Sequence, residues 1–224
     1  MNNSKLMQEL STFFCKVVKC KDPERRIVIT EGDQGATLKE LRLRSTSCGL
    51  EKLPSKNLCQ GLWRDRHNHD FDCDGIVLLA DKDKGEPTLL LVELKSKLTS
   101  KSLPKAVEQV VISLLKMHTL FSLCSSYNGI LSPVEVLICC SDNSNLMSQM
   151  KALSMRCDGH LSSELKLYRS LLGREGEKTK FLLRDVLKVI GWANGWSMPA
   201  SLLNLELVIQ ILCSEQKDAI EHSL

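Results

Sequence analysis

Hydrophobic positions along the chain alternate between two periods, and each period predicts an element. From Lys5 to Lys19, Leu6, Leu10, Phe13, Phe14 and Val17 recur at helical spacing, which predicts an amphipathic first helix that Asp22-Pro23 ends. Ile27 to Thr30 is a short strand candidate, Glu31 to Gly35 a turn, and Thr37 to Arg44 a short helix candidate. Ser45 to Asp70 carries little pattern, with Leu62 to Arg64 as a strand candidate. Two apolar runs follow, Gly75 to Ala80 and Thr88 to Leu94, joined by Asp81-Lys82-Asp83-Lys84-Gly85-Glu86-Pro87. Short apolar runs around a polar connection holding Gly and Pro predict a hairpin.

The second half opens with Pro104, at an early helical position after Ser102, and a helix to about Ser122. Its apolar face includes Val107, Val110, Val111, Leu114, Leu115 and Leu120. Val134 to Cys140 is continuously apolar, as expected of a buried strand that a helical crossover sets parallel to its neighbour. Asn143 or Ser144 caps a helix to about Met155. Glu164 to Leu172 fits a strand or a helix, Gly173 to Glu177 is a turn, and Phe181 to Trp192 and Leu202 to Ile220 read as helices. The whole predicts an α/β (α+β) fold, a mixed central sheet flanked by helices. It forms one domain over 1–224, with a largely helical C-terminal extension over about 141–224.

Charged residues break the apolar pattern at the two ends of the hairpin. Asp74 opens the first run, and Glu93-Leu94-Lys95 closes the second. Strand side chains alternate faces, so Glu93 and Lys95 share a face with Leu89 and Leu91. In an antiparallel pairing whose residue numbers sum to 167 or 169, Asp74 stands opposite Glu93 or Lys95 on that face; a sum of 168 puts it on the other. Charges at the ends of such apolar strands are costly to bury unless paired or bound to metal. Glu-x-Lys recurs at Glu164-Leu165-Lys166 and Glu215-Gln216-Lys217, but only Glu93 follows a strand pair that opens with an acid. Two carboxylates and an ammonium gathered there suit a divalent metal and a water beside a phosphate. The competing reading is a set of edge-of-strand charges that face water.

With a hydrophobic strand before each motif, Asp74…Glu93-Leu94-Lys95 resembles the PD-(D/E)XK nuclease superfamily, the restriction-endonuclease-like fold, over roughly residues 5–140. Cys73 stands where a proline often precedes the first acid. The resemblance implies a restriction-endonuclease-like core and Mg2+- or Mn2+-dependent hydrolysis of phosphodiester bonds, in DNA. Asp74 and Glu93 would hold the metal with the Leu94 carbonyl, and Lys95 would orient the attacking water or stabilise developing charge. A polar residue on the next helix often supports such sites, which points to Gln109; some subfamilies have Gln-x-x-x-Tyr there, and Ser113 occupies the tyrosine position. Members also often place a Glu on an early helix near the metals, and Glu9 and Glu40 are both candidates.

Composition adjusts this picture in three ways. Aromatic residues make up only 4% of the chain, so Leu, Val and Ile must build the interior. A net charge of +3 is mildly basic, so affinity for nucleic acid would have to come from a local patch. Lys97, Lys101 and Lys105, in a stretch from Leu94 to Val107 free of acids, form one such patch or else a solvated loop and first helical turn. The ten cysteines include no Cys-x-x-Cys and read as reduced, buried thiols. Cys59, His67, His69 and Cys73 match no familiar zinc spacing. Trp192 and Trp196 fit core packing or base stacking.

No signal peptide or membrane span is evident, so the expectation is a soluble, cytoplasmic protein with a nucleic-acid partner and no membrane partner. A homodimer or a protein complex stays open. Two other classes also stay open. One is a catalytically inactive module of the same fold that binds nucleic acid or protein. The other is an unrelated α/β protein in which Asp74 and Glu93 diverge.

Overall fold

The computed structural model describes residues 3–13, 18–19, 26–55, 72–81, 87–127, 133–156, 163–172, 176–192, 198–214 and 218–224. In chain order these form α1 (Asn3–Phe13), β1 (Val18–Lys19), β2 (Arg26–Thr30), β3 (Glu40–Arg44), β4 (Cys48–Leu53), β5 (Gly75–Asp81) and β6 (Thr88–Lys95). Then come α2 (Ser102–Phe121), β7 (Val134–Cys140), α3 (Ser144–Arg156), α4 (Ser163–Leu172) and β8 (Thr179–Leu182). The series closes with α5 (Leu183–Val189), α6 (Ala200–Leu203), β9 (Glu206–Cys213) and β10 (Ala219–Ser223). The fold is mixed α/β with two mixed sheets.

The larger sheet has seven strands in the order β1-β4-β5-β6-β7-β9-β8. Along β1, β4, β5 and β6 the neighbouring strands are antiparallel. The long apolar helix α2 then carries the chain across to β7, which lies parallel to β6, and β9 adds parallel to β7. The smaller sheet has the order β10-β3-β2, with β10 parallel and β2 antiparallel to β3.

Strand alternation sorts the interior into two clusters. Ile76 and Leu78 of β5, Leu89 and Leu91 of β6, and Val136 and Ile138 of β7 face the helices, where Leu6 and Leu10 of α1 and Val107, Val110 and Leu114 of α2 cover them. The alternate residues Val77, Leu79, Leu90, Val92 and Leu94 face the small sheet and meet Ile27, Ile29, Leu41 and Leu43. Leu89 to Val92 are therefore apolar throughout because both faces of β6 are covered. Lys52 bridges the sheets, its ammonium donating to the Val28 carbonyl at 2.8 Å, and burial pushes that ammonium below its usual pKa.

Three sequence expectations are overturned, the first being the helix expected over Lys5–Lys19: α1 ends at Phe13, and Val18–Lys19 form β1. Thr37 to Arg44 does not form a helix: Glu40-Leu41-Arg42-Leu43-Arg44 has period two, burying Leu41 and Leu43 and exposing the arginines, and it forms β3. The closing helix expected over Leu202–Ile220 is instead α6 followed by β9 and β10, so the C-terminal part adds strands to both sheets besides its helices α3 to α6. Glu164 to Leu172 resolves as helix α4, and Phe181–Trp192 begins in β8 before α5. The strand candidate at Leu62–Arg64 lies outside the described residues. None of the described helices is long and apolar enough to cross a membrane.

Gly75 shows how closely the sheets approach beside the hairpin's first acid. A Cβ there would lie 2.5 Å from Ile29 Cδ1 and 2.8 Å from its Cγ1 and Cγ2, and a β-branched side chain has little freedom to swing away. Gly75→Ala is expected to destabilise by about 1–3 kcal/mol through overpacking. Urea unfolding checks this, and the combination with Ile29→Ala should cost less than the sum of the single changes.

Candidate active site

The pairs of the β5–β6 hairpin run from Gly75↔Val92 to Leu79↔Thr88, so their numbers sum to 167. Continued by one residue, this register sets Asp74 opposite Glu93, both directed to the helix-covered face. Both are buried, Asp74 at 5% and Glu93 at 0% exposure. The Asp74 carboxylate accepts the Leu94 backbone N–H at 2.8 Å, extending the ladder by one side-chain bond. The Asp74 carbonyl accepts the Ser55 hydroxyl at 2.9 Å. Lys95, partly exposed, pairs with Glu93 Oε1 and donates to Gln109 Oε1 of α2 at 3.0 Å. The Cys139 thiol on the neighbouring strand β7 is pushed up by burial first, and then by the negative charges of Asp74 and Glu93.

Helix α2 supplies more than Gln109. Its Ser113 hydroxyl accepts the Cys73 N–H at 2.8 Å. Its Lys116 ammonium meets the Asp72 carboxylate at 2.6 Å, with both side chains at or below 3% exposure. Gln109 Nε2 also reaches toward the Asp72 carbonyl at 3.5 Å. Removing one partner of a buried ion pair leaves an uncompensated charge and costs about 3–5 kcal/mol, whereas neutral groups of similar volume at both positions are often tolerated. Sequence reading missed Asp72, Ser113 and Lys116 as members of this network. The available signal was Lys116 itself, a charge within the apolar stretch Val110–Met117 at helical spacing from Gln109.

The end of β6 is tied down on several sides. The Ser96 hydroxyl accepts the Thr37 N–H at 2.7 Å, the Ser96 carbonyl accepts the Ser141 hydroxyl, and Leu98 N–H binds the Asp142 carbonyl at 2.8 Å. Lys97, Lys101 and Lys105 follow on the exposed loop and first turns of α2. Asp142 is held below the usual carboxylate range, chiefly by its bonds to Ser144 and in part by the charge of Lys97. Trp192 packs at the edge of the helix-side core and donates to Glu108 of α2 at 3.2 Å; Trp196 lies outside the described residues.

The two glutamates proposed to support the site are engaged elsewhere. Glu9 binds the turn beyond the C-terminus of α2, accepting from the Ser125 hydroxyl at 2.6 Å and from the Ser126 N–H and hydroxyl at 3.1 and 2.8 Å, whereas Gln109 lies in that helix's N-terminal half. Glu40 stands on the outer side of the small sheet, bonded to Arg42. Neither belongs to the network around Asp74 and Glu93. Among the described residues no three of His, Cys, Asp and Glu gather as a metal group. Cys59, His67 and His69 lie outside the described residues, and the buried Cys73 thiol donates to the Gly75 carbonyl at 3.3 Å.

No protein-family model matches the chain, and no significant match exists among curated proteins or solved structures.

The Glu9 clamp has a pH signature. The Ser125 hydroxyl, then the Ser126 N–H and hydroxyl, lower its carboxyl from 4.5 to about 2. A depressed carboxylate stabilises the fold fully above its ordinary value, and that contribution fades as pH falls from 4.5 toward 2. Thermal unfolding followed across this range should show a shallower pH dependence for Glu9→Gln than for the wild type.

Proposed function

We propose that the hairpin site hydrolyses phosphodiester bonds in DNA with Mg2+ or Mn2+, within a restriction-endonuclease-like core of the PD-(D/E)XK type. One observation carries this reading. The strand register brings Asp74 opposite Glu93 at the covered end of the hairpin, with Lys95 beside Glu93. A first helix, antiparallel strands, the crossover helix α2 and the parallel strand β7 lend this reading support.

The residues fit a hard divalent ion. Asp74 and Glu93 offer carboxylate oxygens and Leu94 a backbone carbonyl, the donor class that Mg2+ and Mn2+ prefer. With so few protein donors, the remaining positions would fall to waters and substrate phosphate, as is usual for Mg2+. A bound ion would supply Lewis-acid polarisation of the phosphate and a more acidic water. The chain's own contributions follow from its contacts. Lys95 has three N–H donors, and Glu93 and Gln109 engage it so that its ammonium sits at the partly exposed edge of the site. From there it would orient a water or stabilise charge on the phosphate oxygens. Burial of Asp74 and Glu93 strengthens electrostatic interactions inside the site. Lys97, Lys101 and Lys105 would hold the nucleic-acid backbone.

A second reading is a catalytically inactive module of the same fold that binds nucleic acid or protein. It is favoured by the internal pairing of the charges, Asp74 with the Leu94 N–H and Glu93 with Lys95, which could serve the fold alone.

Asp74→Ala and Glu93→Ala are expected to abolish Mg2+-dependent cleavage of linear, nicked, branched or single-stranded DNA while circular dichroism stays native. Lys95→Ala should do nearly the same, and wild-type cleavage by the Glu93 variant would sink the assignment. Calorimetric titration with Mn2+ separates the two readings: an active site binds the ion and Glu93→Ala removes the binding, whereas the inactive module binds none. For DNA binding, Lys101→Gln and Lys105→Gln should each lower the slope of log K against log salt by about one.

A further inference from the structure

Gln109, Ser113 and Lys116 are buried polar side chains on a helix whose inner face is otherwise apolar. Their spacing of four and three residues lays them in one stripe along α2. The stripe addresses a single short segment. Lys116 binds the Asp72 carboxylate, Ser113 takes the Cys73 N–H, and Gln109 approaches the Asp72 carbonyl while holding Lys95 with its other end. Asp74 follows immediately, pinned by Ser55 at its carbonyl and by the start of the strand ladder at Gly75.

We infer that Lys116 and Asp72 are a positioning pair that fixes the Asp72–Asp74 segment so that the Asp74 carboxylate stands opposite Glu93. Their part in catalysis rests on the hydrolytic function proposed above; the positioning itself does not. Stability alone is a poor account of the pair. Two charges taken out of water are costly, and apolar residues of similar size would serve a hydrophobic core as well or better. What apolar residues cannot supply is a directional contact that selects one placement of the segment leading into β5. The pair and the Gln109–Lys95 bond let one rigid helix gauge both halves of the site, the approach to β5 and the end of β6. Lys116 lies too deep to serve a substrate directly, at 2% exposure.

The test removes both charges at once, as Asp72→Asn with Lys116→Met, and follows amide hydrogen exchange by NMR. The reporter is the Leu94 N–H, which the Asp74 carboxylate holds. The double variant is expected to stay folded and to keep wild-type protection at Val77 and Leu90 in mid-strand. Exchange at Leu94 should rise about tenfold or more, and Mn2+ affinity should fall by about 10- to 100-fold, as supporting residues commonly cause. Lys116→Arg, which retains the charge, should keep Leu94 protected. Unchanged Leu94 protection in the double variant would overturn the inference, whether or not the protein cuts DNA. So would its failure to fold, because the pair would then be a stability element. If Leu94 exchange rises but wild-type protein binds no Mn2+, the positioning stands and the hydrolytic reading falls.

Discussion

A carboxylate with no exposed surface in the middle strands of a sheet constrains everything around it. Glu93 lies between β5 and β7, under a layer of helices, where water cannot solvate its charge. Such a charge survives ionised only if nearby groups take over the role of water. Lys95 does so directly and Gln109 steadies Lys95, while the opposed Asp74 carboxylate is engaged by the Leu94 amide. The thiol of Cys139 registers the same negative field from the neighbouring strand.

Helix α2 therefore has two unlike duties. Its Leu and Val residues close the hydrophobic core over β5, β6 and β7, as any crossover helix must. Its three polar residues reach through that closure to the charged strand ends. The price is a buried ammonium, and the matching carboxylate of Asp72 is what makes it tolerable. On the other side of the sheet no such polar stripe is seen among the described residues. Ile29 instead presses onto Gly75 and leaves that approach apolar.

The hairpin was legible in the sequence because its determinants are local: two apolar runs, a polar connection, and acids at defined offsets. The parallel placement of β7 was legible for the same reason, since α2 announces a crossover. β9 was not. Leu207-Val208-Ile209-Gln210-Ile211 is buried on both faces, and a doubly buried strand has no alternation to distinguish it from a buried helix. β3 was misread because five residues hold too few turns of either period to decide. Lys116 was not singled out, since its partner Asp72 is 44 positions away and nothing local announces that partner. Glu9 and Glu40 illustrate the same limit. Their residue type suited a metal site, but placement depended on contacts with Ser125, Ser126 and Arg42 that tertiary structure decides.

The late strands have a kinetic consequence. β10 pairs residues 219–223 with residues 40–44, and β9 joins a strand from the middle of the chain, so both sheets are closed by contacts far apart in sequence. Loop-closure entropy must be met before such contacts return any free energy, and folding slows as mean contact separation grows. The β5–β6 hairpin and α2 can assemble early from neighbouring residues, while β7 and β3 each wait with an unfilled edge for β9 and β10. Folding of this chain is thus expected to pass through a stage in which the acidic centre is already drawn together on a sheet whose open edges invite association with other chains.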